Sequence, residues 1–306
     1  MFSFRQTAIR DNLVQRARVV GAVRQFFSEQ GYLEVDTPVR IPAPAPELHI
    51  DAQPSGEWFL QTSPELCMKR LLAAGCPRIF QICKCFRQNE RGRKHLPEMT
   101  MLEWYTAGTD YTHMMDQCRK LILFVADLLK IPSPLRYGGH AIDLDKPWSY
   151  LSVAEAFERF SPISMTTALQ NRRFDEIMGL EIEPRLGLDR PLFLYDYPAA
   201  CGALARLKPG RPEVAERFEL YMGGLELCNG FSELTDAKEQ RQRFRDESDR
   251  RLAAGKNGYP LSEPFLAALE SMPEATGNAL GIDRLVMLLL DRPSIDDVVA
   301  FIPEEL

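Results

Sequence analysis

Four stretches of this chain set charged or polar side chains among apolar ones, and each could do chemistry. In 98–105, strand alternation puts Met99, Met101, Glu103 and Tyr105 on one face and Glu98, Thr100, Leu102 and Trp104 on the other. In 79–87, Arg87 shares its face with Gln81, Cys83 and Cys85, while Phe80, Ile82 and Phe86 point away. In 217–229, Glu226 and Cys228 share a face opposite Leu225 and Leu227. Each strand thus has an apolar side and a side with one charge among small or polar neighbours. Together they predict a polar ligand cleft floored by a sheet; taken singly, the same charges suit an edge facing solvent. The fourth stretch, ThrGlyAsnAlaLeuGlyIleAspArgLeuValMetLeuLeuLeu (276–290), turns from a short glycine-bracketed strand into an apolar helix with Arg284 in its first turn. Glycine lets a ligand approach the backbone closely. Arginine there opposes the helix dipole, so it needs a local partner: an anionic or aromatic ligand, or a buried ion pair.

The elements that must position these residues follow from periodicity and punctuation. Residues 11–30 read as an amphipathic helix with Leu13, Ala17, Val20 and Phe27 at helical spacing, interrupted by Arg24 and closed by Gly31. A short strand then runs to Pro38, and the proline-rich stretch 41–56 reads as irregular. A strand at 58–62 leads into Ser63-Pro64-Glu65, a helix start with a cap, a proline and an acid in sequence. Strands at 78–87 and 98–106 flank a charged loop, and a helix over about 112–130 carries Met115, Cys118, Ile122, Val125 and Leu129 on one face. Residues 131–190 are hard to read beyond a helix near 152–160. Strands return at 192–197 and 217–229, helices at 235–254 and 262–271, and a strand-to-helix unit at 277–291. Strands do not alternate strictly with helices, so the fold class is α+β, a mainly antiparallel sheet flanked by helices, in one domain spanning 1–306.

Composition excludes several classes. The 306 residues carry 37 Lys+Arg and 43 Asp+Glu, a formal net charge of -6, which argues against extensive nonspecific binding of nucleic acid. No apolar run approaches the roughly 18–20 residues of a membrane span, and the N-terminus has charges where a signal peptide needs its apolar stretch. The seven cysteines include no CxxC pair, and only four histidines accompany them. They read as small buried hydrophobes in a reducing cytoplasm rather than a zinc site.

At these residues the chain resembles the catalytic domain of class IIb aminoacyl-tRNA synthetases, above all lysyl-tRNA synthetase. GlyTyrLeuGluValAspThrPro (31–38) looks like motif 1, whose helix and strand build a dimer interface. CysPheArgGlnAsnGlu and HisLeuProGluMetThrMetLeuGluTrpTyr (within 85–105) look like motif 2, and GlyAsnAlaLeuGlyIleAspArg (277–284) like motif 3. GluLeuCysAsnGlyPheSerGluLeu (226–234) is similar to the lysyl enzyme's segment of metal and amino-acid ligands. ThrSerProGluLeuCysMetLysArgLeuLeu (62–72) and ThrMetLeuGluTrpTyr (100–105) are especially similar to the EpmA family, also called PoxA or GenX. Those are truncated paralogues without an anticodon-binding domain that attach (R)-β-lysine to a lysine of elongation factor P.

The resemblance implies roles. Arg87 would clamp the ATP α-phosphate and Arg284 would cover adenine and neutralise the γ-phosphate, the two catalytic arginines. His95 would contact the departing phosphates, with Leu96, Met99, Leu227 and Gly281 also at ATP. Glu226 and Glu233 would hold Mg²⁺. Ser63, Pro64, Glu65, Glu103, Tyr105, Glu233 and Ala279 would line the pocket for a lysine-like substrate, helix capping being the plainer reading of Ser63 and Glu65. The usual Arg-x-Glu reads Arg87-Gln88-Asn89 with Glu90 one place on, so the adenine-side contact stays open between Asn89 and Glu90. Leu96 and Met99 also depart from the family's asparagine and phenylalanine. The implied partners are elongation factor P, (R)-β-lysine and a second copy in a homodimer, with no membrane and no tRNA; the implied place is the cytoplasm. A synthetase-like enzyme charging tRNA or forming a free amide is the alternative, and a non-catalytic binding paralogue a third.

Overall fold

In the computed structural model, which describes residues 4–202 and 204–306, a nine-stranded sheet organises the chain. Its order runs Leu33–Glu34, Arg78–Phe86, Glu98–Ala107, Ala275–Gly281, Leu225–Ser232, Arg211–Met222, Leu192–Pro198, Ser149–Ser152, with Leu207–Lys208 also on Arg211–Met222. Leu33–Glu34 and Ser149–Ser152 pair in parallel with their neighbours and all other pairings are antiparallel, as expected of an α+β fold. No helix of the described residues is long and apolar enough to cross a membrane.

One face of the sheet is covered by the helices Arg10–Glu29, Tyr111–Leu129 and Ile282–Leu289. Tyr111–Leu129 starts where Asp110 accepts from the Thr112 and His113 amides, and it buries Met115, Cys118, Ile122 and Val125 as its spacing predicts. The Arg10–Glu29 helix is rotated from the predicted face. Asn12, Val19, Ala22, Val23, Phe26 and Phe27 are buried, whereas Ala17 and Arg24 are exposed. The aromatic residues decide the face: Phe27 stacks on Phe80 at 4.7 Å and packs against Trp104. Trp104 in turn donates to Gln117 (2.8 Å), so the buried indole N–H is satisfied.

Two expectations around the third charged stretch fail. The predicted strand 217–229 is a hairpin, Arg211–Met222 and Leu225–Ser232, folded at Gly223 (φ 63°) and Gly224 (φ 67°). Both turn residues need positive φ, which a Gly-Gly pair supplies. A bulge follows, because Leu220 pairs with Cys228 while Tyr221 pairs with Glu226, leaving Leu227 as the extra residue. The bulge reverses alternation, so the Cys228 thiol turns to the core beside Cys118 (Sγ to Sγ 3.4 Å), although Cys228 still borders the cavity with Glu226. The unread stretch 131–190 makes a hairpin (Leu135–Tyr137, His140–Ile142), the Ser149–Ser152 strand and short helices with their own apolar cluster.

Candidate active site

The sheet face away from those helices floors a cavity of about 570 Å³. Met99, Met101, Glu103 and Tyr105 of the Glu98–Ala107 strand line it, as alternation requires, while Leu102 and Trp104 lie in the core behind.

One end is built from carboxylates. Ser63 Oγ donates to Glu103 (2.6 Å) and accepts from the Glu65 amide (3.0 Å); Pro64 holds the cap position of the Glu65–Ala73 helix, so Ser63 ties the helix start to the site from one residue before it. Tyr105 donates its hydroxyl to Glu103 (2.9 Å). Lys69, one turn after Glu65 and 1% exposed, pairs with Glu65 and with Glu233 (2.5 Å). Burial opposes a charge on Lys69, but Glu233 and Glu65 outweigh it and raise its pKa, so it stays an ammonium. Burial, aided by Glu65, pushes Glu103 to about 7. Glu233 rises to about 8, burial and Glu65 outweighing the pull of Lys69. Glu233 lies beneath Gly277: a Cβ there would stand 2.4 Å from Glu233 Oε1 and 2.3 Å from the Tyr105 ring, so only glycine lets the strand pass so close. Glu233 Oε1 has no hydrogen-bond partner. Three carboxyl groups share one lysine, and the raised values of Glu103 and Glu233 mean that they shed protons readily once an ammonium enters, which suits a ligand with ammonium groups.

The other end is cationic. Arg87 follows the Arg78–Phe86 strand; its Nε is buried without a partner and its nearest acid, Glu90, is 3.8 Å away. Arg284 donates to the Glu226 carbonyl (2.9 Å) and carboxylate (3.1 Å) and lies 2.5 Å from His95 Nε2. Its local partner is therefore an ion pair. Burial and Arg284 lower His95 to about 4, so at neutral pH it is an uncharged imidazole. Leu96, Leu227 and Gly281 line the cavity, as does Glu90; Asn89, at φ 65°, does not, so the geometry favours Glu90 of the two. Pro64 also lies outside the lining and serves the helix start.

The expected metal pair is not brought together. Glu226 and Glu233 stand seven residues apart along one strand and its extension, on the order of 20 Å at 3.3 Å per residue. Glu226 has Glu219 diagonally across the hairpin instead, close enough that its charge acts on Glu219. Burial and Glu226 raise Glu219, whereas Arg284 holds Glu226 below its ordinary value despite burial. Glu219 is steadied by Arg217 (2.5 Å) and the hydroxyls of Tyr197 (2.5 Å) and Tyr221 (2.6 Å). No cluster of three or more His, Cys, Asp or Glu among the described residues is arranged to hold a metal alone. Two carboxylates facing an anion site still fit Mg²⁺, which usually takes one or two carboxylates plus phosphate oxygens and water. Glu233, expected in the pocket, lies outside the cavity lining: it is buried against Lys69 behind Gly277 and acts on the ammonium end from behind that strand.

Two residues here escaped the sequence reading. Lys69 was legible as the i+4 partner of Glu65, and Glu219 as an acid in a strand otherwise apolar towards its end.

Residues 1–305 match the family model of tRNA synthetases class II (D, K and N). Among curated proteins, the chain is 40% identical to the elongation factor P–(R)-β-lysine ligase of Salmonella gallinarum, covering 95% of this chain and 94% of that one. The proteins of the same name from Proteus mirabilis (40%; 95% and 94% covered) and Erwinia tasmaniensis (38%; 98% and 97%) are similar over comparable lengths.

Proposed function

This chain belongs to the elongation factor P–(R)-β-lysine ligases within the class II tRNA synthetase family, and from that membership we propose that it joins (R)-β-lysine to a lysine side chain of elongation factor P through an adenylate made from ATP. The observation that carries the reading is the polarity of one cavity, with the unpartnered Arg87 at one end and the carboxyl groups of Glu65 and Glu103, backed by Glu233, at the other. An amino acid bridging them has its carboxylate beside Arg87 and its two ammonium groups among Glu65, Glu103 and Glu233. ATP then lies towards Arg284 and Glu226. Glu219 and Glu226 would hold Mg²⁺, which supplies charge neutralisation at the phosphates when bound. Arg87 stabilises the charge that grows on the α-phosphate as the carboxylate attacks. Neutral His95 and Glu90 orient the nucleotide. The chain works as one catalytic domain, and its free cysteines suit the cytoplasm.

Isomer preference rests on Ala279, which lines the cavity in register with Glu103 on one side and Asn229 on the other. Its methyl group narrows the space at the substrate's carboxyl end, which favours an amine moved from the α- to the β-carbon. One methyl group discriminates by about 1–3 kcal/mol, roughly ten- to two-hundred-fold. Amino-acid-dependent ATP–pyrophosphate exchange should favour (R)-β-lysine over α-lysine, with Ala279→Gly shifting the ratio towards α-lysine. An absence of exchange with either isomer overturns the activation reading; an unchanged ratio in the variant overturns the role of Ala279.

A homodimer is part of the proposal. The terminal strand Leu33–Glu34, with the exposed Leu33 (56%), lies in the segment that resembles motif 1, and the exposed Val39 (39%) follows it directly. Sedimentation at micromolar concentration should give twice 34.9 kDa; a monomer alone contradicts it.

A further inference from the structure

Glu47 is the acid in the cavity lining whose carboxylate has neither hydrogen-bond nor ion-pair partner among the described residues. Every other lining acid has a partner: Glu65 in Lys69, Glu90 in Arg87, Glu103 in Ser63 and Tyr105, Asp175 in His49, Glu219 in Arg217, Glu226 in Arg284, Glu247 in Arg250 and Asp283 in Arg16. The backbone that carries Glu47 is nonetheless held firmly. Arg251, 1% exposed, donates to the carbonyls of Glu47 (2.6 Å) and Ile50 (2.8 Å) and pairs with Asp51 (2.8 Å). The Leu48 amide donates to Glu247 (3.2 Å), and the Gln88 amide, beside Arg87, donates to the Asp51 carbonyl (2.7 Å). A clamped loop thus presents a free carboxylate to the cavity.

Its placement fits a task that activation does not require. Glu47 lines the same cavity as Arg87 and Arg217 of the cationic end and Glu65 of the acidic end, and feels the charge of all three. It therefore stands near the junction of phosphate and amine ends, where the carbonyl of an adenylate would lie. Two residues on, His49 is 74% exposed and faces Asp175 at the cavity's rim, so the loop lies between that junction and solvent. A substrate with two ammonium groups is already matched by the other carboxylates. A third ammonium, entering from the rim, meets Glu47.

We propose that Glu47 binds the ammonium of the acceptor lysine and removes its proton, making Glu47 the general base of the transfer step. The inference rests on the ligase reading above. The carboxylate takes one proton, which frees the nitrogen lone pair. Nitrogen attacks the adenylate carbonyl carbon; the C–N bond forms, and the bond from that carbon to the phosphate oxygen breaks with its electron pair leaving on AMP. The second nitrogen proton passes to solvent at the rim. Burial pushes Glu47 up from its ordinary value, with Arg87 pulling the other way, and Arg87 and Arg217 disfavour a charged amine beside them. Both effects bring the two proton affinities closer.

The test separates the nucleophiles. Enzyme preloaded with (R)-β-lysyl adenylate is offered elongation factor P or hydroxylamine, which is uncharged at neutral pH and needs no base to free its lone pair. In Glu47→Gln the ratio of protein modification to hydroxamate formation should fall roughly 10²-fold at pH 7, the usual scale of general-base help. The deficit should shrink as pH rises towards the lysine's own titration, and Glu47→Asp should recover part of it. A ratio equal to wild type, whether both rates fall or neither does, overturns the inference. Wild type that forms hydroxamate but leaves elongation factor P unmodified contradicts the ligase reading itself, and the inference with it.

Discussion

Replacing Arg87 by alanine should lower ATP–pyrophosphate exchange by roughly 10²–10³-fold, the cost of removing one positioned donor from a developing charge, while the protein stays folded. The structure gives both halves of that expectation. Nothing described engages the Arg87 side chain closely: its Nε is buried without a partner and Glu90 is 3.8 Å away with 26% of its side chain exposed. A loose, partly solvated pair of that kind contributes about 0–1 kcal/mol, so folding loses little. The same unengaged donors, aimed into the cavity, cost nothing to redirect when a phosphate arrives. Circular dichroism and thermal melting would establish the fold of the variant. Near wild-type exchange in a folded Arg87→Ala protein would refute Arg87 as the α-phosphate clamp.

Glu233→Gln should act at the opposite end, through the amino acid rather than ATP. The amide keeps the shape beneath Gly277 but cannot balance an ammonium, and Lys69 retains Glu65 as its counter-ion. Leaving one partner of a buried charge pair uncompensated costs about 2–5 kcal/mol, or roughly 30-fold to several thousand-fold at about 1.4 kcal/mol per decade. The loss should fall mainly on KM for (R)-β-lysine, with KM for ATP moved far less. Equal changes in both constants would mean that Glu233 only supports the fold. The wild type should show a related pH dependence. Without substrate, Glu103 and Glu233 hold protons up to about 7 and about 8, and the protonated carboxyls bind ammonium poorly. KM for the amino acid should therefore rise as pH falls from about 8 to about 6. The linked stability has the opposite sense. Folded-state values above the ordinary carboxyl value contribute stability that is full at low pH and is lost as pH rises through 7 to 8. The substrate-free protein should melt lower at pH 9 than at pH 6, and the amino acid should narrow that gap.

The ends of this site were unequally legible. Glu98–Ala107 reads directly from sequence because it is one uninterrupted strand without a bulge, so period 2 keeps Met99, Met101, Glu103 and Tyr105 on one face and in the cavity. The Arg211–Ser232 hairpin does not: Gly223-Gly224 sits inside one long apolar run, and the extra residue at Leu227 reverses alternation without any local signal. That bulge is why Cys228 was misplaced. Glu226 was joined to Glu233 through the resemblance of 226–234, and the unread hairpin left no way to see Glu219 across from Glu226. Lys69 shows a second limit, since a lysine on a helix ordinarily faces solvent and only the tertiary fold reveals that this one is buried between carboxylates. Glu47 shows a third: nothing in a proline-rich loop marks which acid a distant Arg251 will turn towards a cavity. Local periodicity fixes faces; pairing across strands and clamped loops needs contacts far apart in sequence.

The central claim is that this cavity makes an adenylate whose acceptor is a protein lysine, and intact-mass measurement tests it most directly. Purified protein with ATP, Mg²⁺ and (R)-β-lysine is offered elongation factor P, elongation factor P with its acceptor lysine replaced by arginine, and bulk tRNA in parallel. The predicted result is a gain of one β-lysyl residue on elongation factor P alone, lost with the acceptor lysine and accompanied by stoichiometric AMP. Aminoacylated tRNA beside unmodified elongation factor P would contradict it.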